Sequence, residues 1–258
     1  KIFLHLKVIE YYNYFIVLNI FSVFFYLLTK KEIISQDVNF LFKILRKYKK
    51  SYLLYFFLGV FFYIFVQSLV VPPTNFDSLA YNITRNYFFI QENNIYPNNN
   101  FNYYNGLIQP LNSDLLYLKF AYFRTDYFMN IYNLMCYMIL GLTFFELFKN
   151  LNVKENRILY IILFLSISNL FLSLFNTKND LYSATFLIIN IYLFFNIFDG
   201  NKKIIPIFLI TIFYTTGIKW TVIFYLLPLF FVTIYYSFKK NLTIKFFKWF
   251  LVLSPLAL

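Results

Sequence analysis

Apolar runs matched to the thickness of a bilayer recur along this 258-residue chain, at roughly 11–29, 51–71, 127–148, 158–175, 181–198, 204–218, 221–238 and 246–258. Most hold about 18–22 residues, the length an α-helix needs to cross the hydrocarbon. In that medium the backbone finds partners only in helices or closed barrels. The runs do not alternate apolar and polar residues with period two, as barrel strands would. The expected fold is all-α, a polytopic integral membrane protein. Composition agrees: 13% of residues are charged, against about 25% in soluble domains.

Two runs are short. Run 204–218 leads into Gly217-Ile218-Lys219-Trp220, a break before the next segment, and 246–258 spans only if the chain continues. The chain starts at Lys1 and stops inside an apolar run, so both ends read as truncated and 1–258 as one transmembrane domain. The 38 Phe and 25 Tyr read as lipid-facing filler. With His5 the single histidine and Cys136 the single cysteine, intrachain disulfides and histidine acid–base chemistry are excluded. Catalysis, if present, falls to carboxylates.

Basic residues set the orientation. The connections 30–50, 149–157, 199–203 and 239–248 hold 16 of the 23 Lys and Arg, whereas 72–126, 176–180 and 217–220 hold five. The first set is expected in the cytoplasm and the second outside. Lys1 and Lys7 fall on the wrong side of this scheme. The net charge of +12 then reflects contact with anionic membrane lipid. No nucleic-acid partner is expected.

Residues 72–126 form the long external loop, and loops of that length usually carry function. Pro72 and Pro73 end the second run, Asn75 and Asp77 resemble a helix start, and 78–91 reads as an amphipathic interfacial helix. On a wheel of 100° per residue, Leu79, Ile83 and Ile90 lie within about 40° of one another. Asp77, Tyr81, Thr84 and Gln91 gather opposite, with Arg85 at their edge. Pro110 and Asn112-Ser113-Asp114 open a second interfacial helix towards Phe123.

Phe76-Asp77-Ser78-Leu79-Ala80-Tyr81-Asn82-Ile83-Thr84-Arg85, followed by Gln91, resembles the pattern W-D-S-x-x-Y-H-x-x-R-x-x-x-x-x-Q. That pattern marks the first external loop of bacterial GT-C glycosyltransferases, membrane enzymes related to protein mannosyltransferases that use polyprenyl-phosphate sugars. Downstream, Pro110 to Leu118 with Asp114, Asn179-Asp180 within 176–184, and Gly217-Ile218-Lys219-Trp220-Thr221 resemble further external segments of that family. The resemblance covers about 72–221 in order. Phe76 stands for Trp, Asn82 for His and Trp220 for Gly, which alters the pocket and hence the substrate.

The resemblance implies a GT-C-like helical bundle in a bacterial inner (plasma) membrane with its active site on the non-cytoplasmic face. Asp77 would be the catalytic base, Arg85 and Lys219 would hold the donor phosphate, and Tyr81, Asn82, Gln91, Asp114, Asn179 and Asp180 would line the pocket. The donor would be a polyprenyl-phosphate sugar, with the acceptor undefined. One divalent metal ion held by Asp77 with Asp180 or Asp114 is an open option that no spacing requires.

Each residue also has a structural reading. Asp77, Asp114 and Asp180 sit where helix caps sit, Arg85 has the reach to snorkel to headgroups, and Lys219 needs a partner such as Asp180. Two other functions compete. A transporter or flippase places ionisable or broken-helix residues near the midplane. Runs 51–71, 158–175, 181–198 and 221–238 carry no Asp, Glu, Lys, Arg or His. A non-catalytic membrane subunit leaves the ordered loop charges unexplained.

Overall fold

The computed structural model describes residues 46, 52–75, 79, 83–91, 117–118, 120–121, 123, 125–153, 156–240 and 242–254. The run 11–29 therefore lies outside the described residues. Those described are mostly helical, with no strand among them.

The helices are α1 (Tyr52–Val70), α2 (Thr84–Gln91), α3 (Ile131–Asn150), α4 (Arg157–Leu165), α5 (Ser168–Leu172), α6 (Asp180–Phe198), α7 (Ile205–Thr216), α8 (Ile223–Lys239) and α9 (Thr243–Leu253). Ile131–Asn150, Asp180–Phe198 and Trp220–Lys239 are long and apolar enough to cross a membrane. The last is α8 extended by the 3-10 turn Trp220–Val222. A fourth span forms if α4 and α5, the latter continued by a 3-10 turn to Phe175, are taken together.

Run 158–175 is not straight. Its two halves meet at 62° around Ser166 and Ile167. Run 204–218 contains only the 12-residue α7, preceded by the 3-10 turn Lys202–Ile204. α1 ends at Val70, just before Pro72 and Pro73, which lack the N–H that would continue it.

α6 packs on α3, α7 and α8, and α9 packs on α7 and α8. At one end Asp180 meets Lys219, and Asn133 bonds to the carbonyls of Ser173 and Asn176. At the other end Phe148 packs on Tyr160, and Phe198 stacks on Tyr236 at 4.2 Å. The basic residues Lys149, Arg157, Lys202, Lys203, Lys239 and Lys240 belong to this second end, called here the Lys149 end. The first is the Asp180 end.

Two apolar cores run through the bundle, and α6 contributes to both. One gathers Ile64, Leu134, Tyr137, Leu140, Leu165, Leu174 and Leu181 between α1, α3, α4, α5 and the start of α6. The other gathers Leu193, Ile197, Phe208, Leu209, Leu226 and Phe246 from α6 to α9. α3 and α4 approach closely at Gly141, where a Cβ would lie 3.1 Å from Leu165 Cδ1.

Between the cores, Asn190 is fully buried on α6. Its Nδ2 donates to Thr215 Oγ1 at 3.1 Å, and its Oδ1 accepts from Thr211 Oγ1 at 2.7 Å. Carboxamide and hydroxyl groups thus clasp α6 to α7 where no apolar pair would give direction.

Candidate functional site

Of the residues singled out from sequence, Asn179, Asp180 and Lys219 meet at the Asp180 end, and backbone carbonyls explain how that end is held. The last C=O groups of a helix have no partner within it. Three asparagines near helix starts supply the missing donors to neighbouring segments. Asn130 Nδ2 donates to Val71 O at 2.9 Å, just past α1. Asn133 Nδ2 donates to Ser173 O at 3.1 Å and to Asn176 O, closing the end of the α5 segment. Asn179 Nδ2 donates to Ile218 O at 2.8 Å, in the turn after α7.

Asn179 precedes α6 but makes no side-chain cap; its amide group donates instead to Ile218. Asp180, the first residue of α6, is not a cap either. Its carboxylate pairs with Lys219 Nζ, and both side chains remain partly exposed, at 50% and 37%. A carboxylate in the first turn also faces the positive end of the helix. Lys219 reaches it from extended backbone (φ −153°, ψ 125°) between α7 and the 3-10 turn Trp220–Val222. The pairing of Lys219 with Asp180 expected from sequence is present, and it joins segments 176–180 and 217–220.

The long loop contributes to the same end through Ile83 and Tyr117, which share a core with Tyr182 and Ile218. Tyr117 is wholly buried. Its hydroxyl donates to Asn133 Oδ1 at 3.3 Å and lies 3.4 Å from the Tyr182 hydroxyl. Burial raises the Tyr117 phenol far above its ordinary range, so it stays neutral and serves as a hydrogen-bonding group. Tyr117, Leu118, Phe120 and Ala121 are helical, where the second interfacial helix is expected.

The first interfacial helix turns a different face inward. Helical bonding begins with Leu79 N donating to Asn75 O at 3.1 Å, but Leu79 and Ile83 lie in π-helical turns. Arg85, Asn86 and Phe89 are the buried residues of α2, whereas Leu79 is 52% exposed. The wheel puts Leu79, Ile83 and Ile90 on a stripe facing lipid; the exposed Leu79 is in keeping with that, whereas Ile83 is buried against protein.

Arg85 is accordingly not a residue at the edge of an open polar face. It is 2% exposed, and desolvation lowers its pKa to about 10. The guanidinium still carries its charge at neutral pH. Gln91 ends α2 and is exposed.

Asp77, Tyr81, Asn82 and Asp114 lie outside the described residues. Among those described, no three Asp, Glu, His or Cys side chains come together in a way that could hold a metal ion. Asn130, Asn133, Asn176, Tyr117 and Tyr182, which bind the segments into one end, were not among the sequence candidates. The signal for the first two is a carboxamide in or beside the first turn of an apolar run.

No protein-family model, curated protein or solved structure matches this chain.

Proposed function

We propose that this chain is a membrane glycosyltransferase of the GT-C type. It moves a monosaccharide from a polyprenyl-phosphate donor to an acceptor hydroxyl at the non-cytoplasmic face of a bacterial inner membrane. The observation that carries the reading is the spaced pattern Pro72-Pro73, Phe76-Asp77-Ser78, Tyr81, Arg85 and Gln91. Supporting it, segments 176–180 and 217–220 are bonded together, and Ile83, beside Arg85, shares a core with Ile218.

The chemistry asks little of the protein. Asp77 takes the proton of the acceptor hydroxyl as its oxygen bonds to the anomeric carbon. The bond from that carbon to the phosphate oxygen breaks, and the polyprenyl phosphate departs as an anion. Arg85 and Lys219 stabilise the departing charge. No general acid is required, unlike glycoside hydrolysis with its two carboxylates. A positioned base contributes roughly 10²–10⁴-fold.

Asp77→Asn tests the mechanism, because asparagine retains most of the capping ability of aspartate but cannot accept the proton. Transfer from a labelled polyprenyl-phosphate sugar should fall by roughly 10²–10⁴-fold with thermal stability nearly unchanged. Turnover close to that of the parent would make Asp77 a cap and end this assignment.

One observation favours the second reading, a transporter or flippase. The 62° break between α4 and α5 is a broken span of the kind that transport pathways use. Counterflow of a lipid-linked or polar solute in proteoliposomes, in the absence of sugar transfer, would replace the first reading with this one.

A further inference from the structure

The break between α4 and α5 is exposed on a face where bare hydrocarbon cannot serve it. Ser166, Ile167, Ser168 and Asn169 are all exposed. If the pair is one span, Ile167 stands ten residues beyond Arg157, about 15 Å along the helix and half of a hydrocarbon core of about 30 Å. Irregular backbone at that depth is tolerated only where protein covers it or water reaches it.

One side of the break is already served by protein. Tyr137 donates its hydroxyl to Leu165 O at 2.7 Å, and Ser166 Oγ donates to Ile162 O at 2.7 Å. The other side is not. α5 starts after Ile167, which has no side-chain acceptor to offer the first N–H groups. The hydroxyl of Ser168 and the carboxamide of Asn169 make no side-chain hydrogen bond to a described residue. A carboxamide has two donors and an acceptor oxygen to satisfy.

The polar groups also have a direction. Asn169 and Ser173 form an i, i+4 polar stripe, and Asn176 follows in extended backbone past the 3-10 turn. The stripe ends where Asn133 bonds to the carbonyls of Ser173 and Asn176. On the other half, α4 reads Arg-Ile-Leu-Tyr-Ile-Ile-Leu-Phe-Leu, and beyond Tyr160 it offers water nothing.

We propose that a water-filled crevice enters the bundle at the Asp180 end and runs along Asn169 and Ser173. It stops at the Ser166–Ser168 break, about half-way through the membrane. The inference rests on reading these helices as spans and is independent of the transferase reading.

Single cysteines test it in the full chain, in native membranes, on a Cys136→Ala background. Ser166→Cys, Ser168→Cys and Asn169→Cys probe the crevice. Leu163→Cys and Leu142→Cys report lipid-facing positions, being 59% and 60% exposed on apolar helices. Trp220→Cys reports the Asp180 end and Lys202→Cys the Lys149 end. The probe is a charged, membrane-impermeant methanethiosulfonate, which reacts only with a hydrated, ionised thiol.

The three break cysteines should react from the face that labels Trp220→Cys. Their rates should be about 100-fold above those of the lipid-facing pair, since a thiol in hydrocarbon does not ionise. Rates as low as those of Leu163→Cys would overturn the crevice, as would reaction that begins only after detergent extraction, which would mean that protein covers the break. Labelling from both faces would overturn its closed floor.

Discussion

Asn179 donates from Nδ2 to the carbonyl of Ile218 at 2.8 Å, so the start of α6 is fastened to the turn after α7 by one amide. Removing it leaves a part-buried carbonyl without its donor, which costs about 1–3 kcal/mol. Asn179→Ala should lower thermal stability in detergent by that amount. It should also loosen the Lys219–Asp180 pair, one residue away on each side. An unchanged melting temperature would show that this amide does not hold the turn.

The Lys219–Asp180 pair is partly exposed, and such pairs contribute about 0–1 kcal/mol. Neither Lys219→Gln nor Asp180→Asn should alter stability much. Donor binding separates them. Lys219→Gln should weaken affinity for a polyprenyl-phosphate sugar by about tenfold, one lost charge contact of about 1.4 kcal/mol. Asp180→Asn should strengthen it, because the carboxylate competes with the phosphate for the same ammonium. If both variants bind donor as the parent does, Lys219 is not a phosphate ligand.

Arg85 gives a pH-dependent test. Burial lowers its pKa to about 10, so the cation, present below that value and lost above it, persists through the neutral range. The same burial acting on lysine, whose ordinary value is lower, brings the loss of its charge closer to neutral pH. Arg85→Lys should therefore use donor normally in mildly acidic buffer and lose it at a lower pH than the parent does. Parallel profiles for the two proteins would remove Arg85 from phosphate binding.

Asn190→Leu should separate α6 from α7. It deletes the contacts to Thr211 and Thr215, worth about 0.6–2 kcal/mol in spans of this kind. Both threonine hydroxyls keep backbone acceptors in their own helix, so the loss should not exceed that range in denaturant titration. A larger loss would point to a wider network.

The long runs announced α3, α6 and α8 because length and apolarity are local properties. The break at Ser166 was not legible, since Ser-Ile-Ser within an apolar run fits an unbroken helix equally well. α2 shows the same limit. The wheel places Arg85 at the edge of a polar face, but which face meets protein is decided by segments distant in sequence, and Arg85 is buried. At the Asp180 end, charges were easy to single out and asparagines were not. Lys219 in an apolar setting demands explanation by itself, whereas Asn133 acquires meaning only when the carbonyls of Ser173 and Asn176 come beside it.

The shortness of α7 bears on the lipid around it. Twelve residues make a helix about 18 Å long, beside about 28 Å for the 19 residues of α6. Ile207 and Ile210 point outward, roughly half exposed, so this flank offers acyl chains a belt about 10 Å shorter than its neighbour does. Hydrocarbon adjusts to such a mismatch by thinning, at fractions of a kcal/mol for each ångström. The annulus on the α7 side should accordingly be rich in short or unsaturated tails, which pack into a shallow trough, and long saturated tails should be excluded from it.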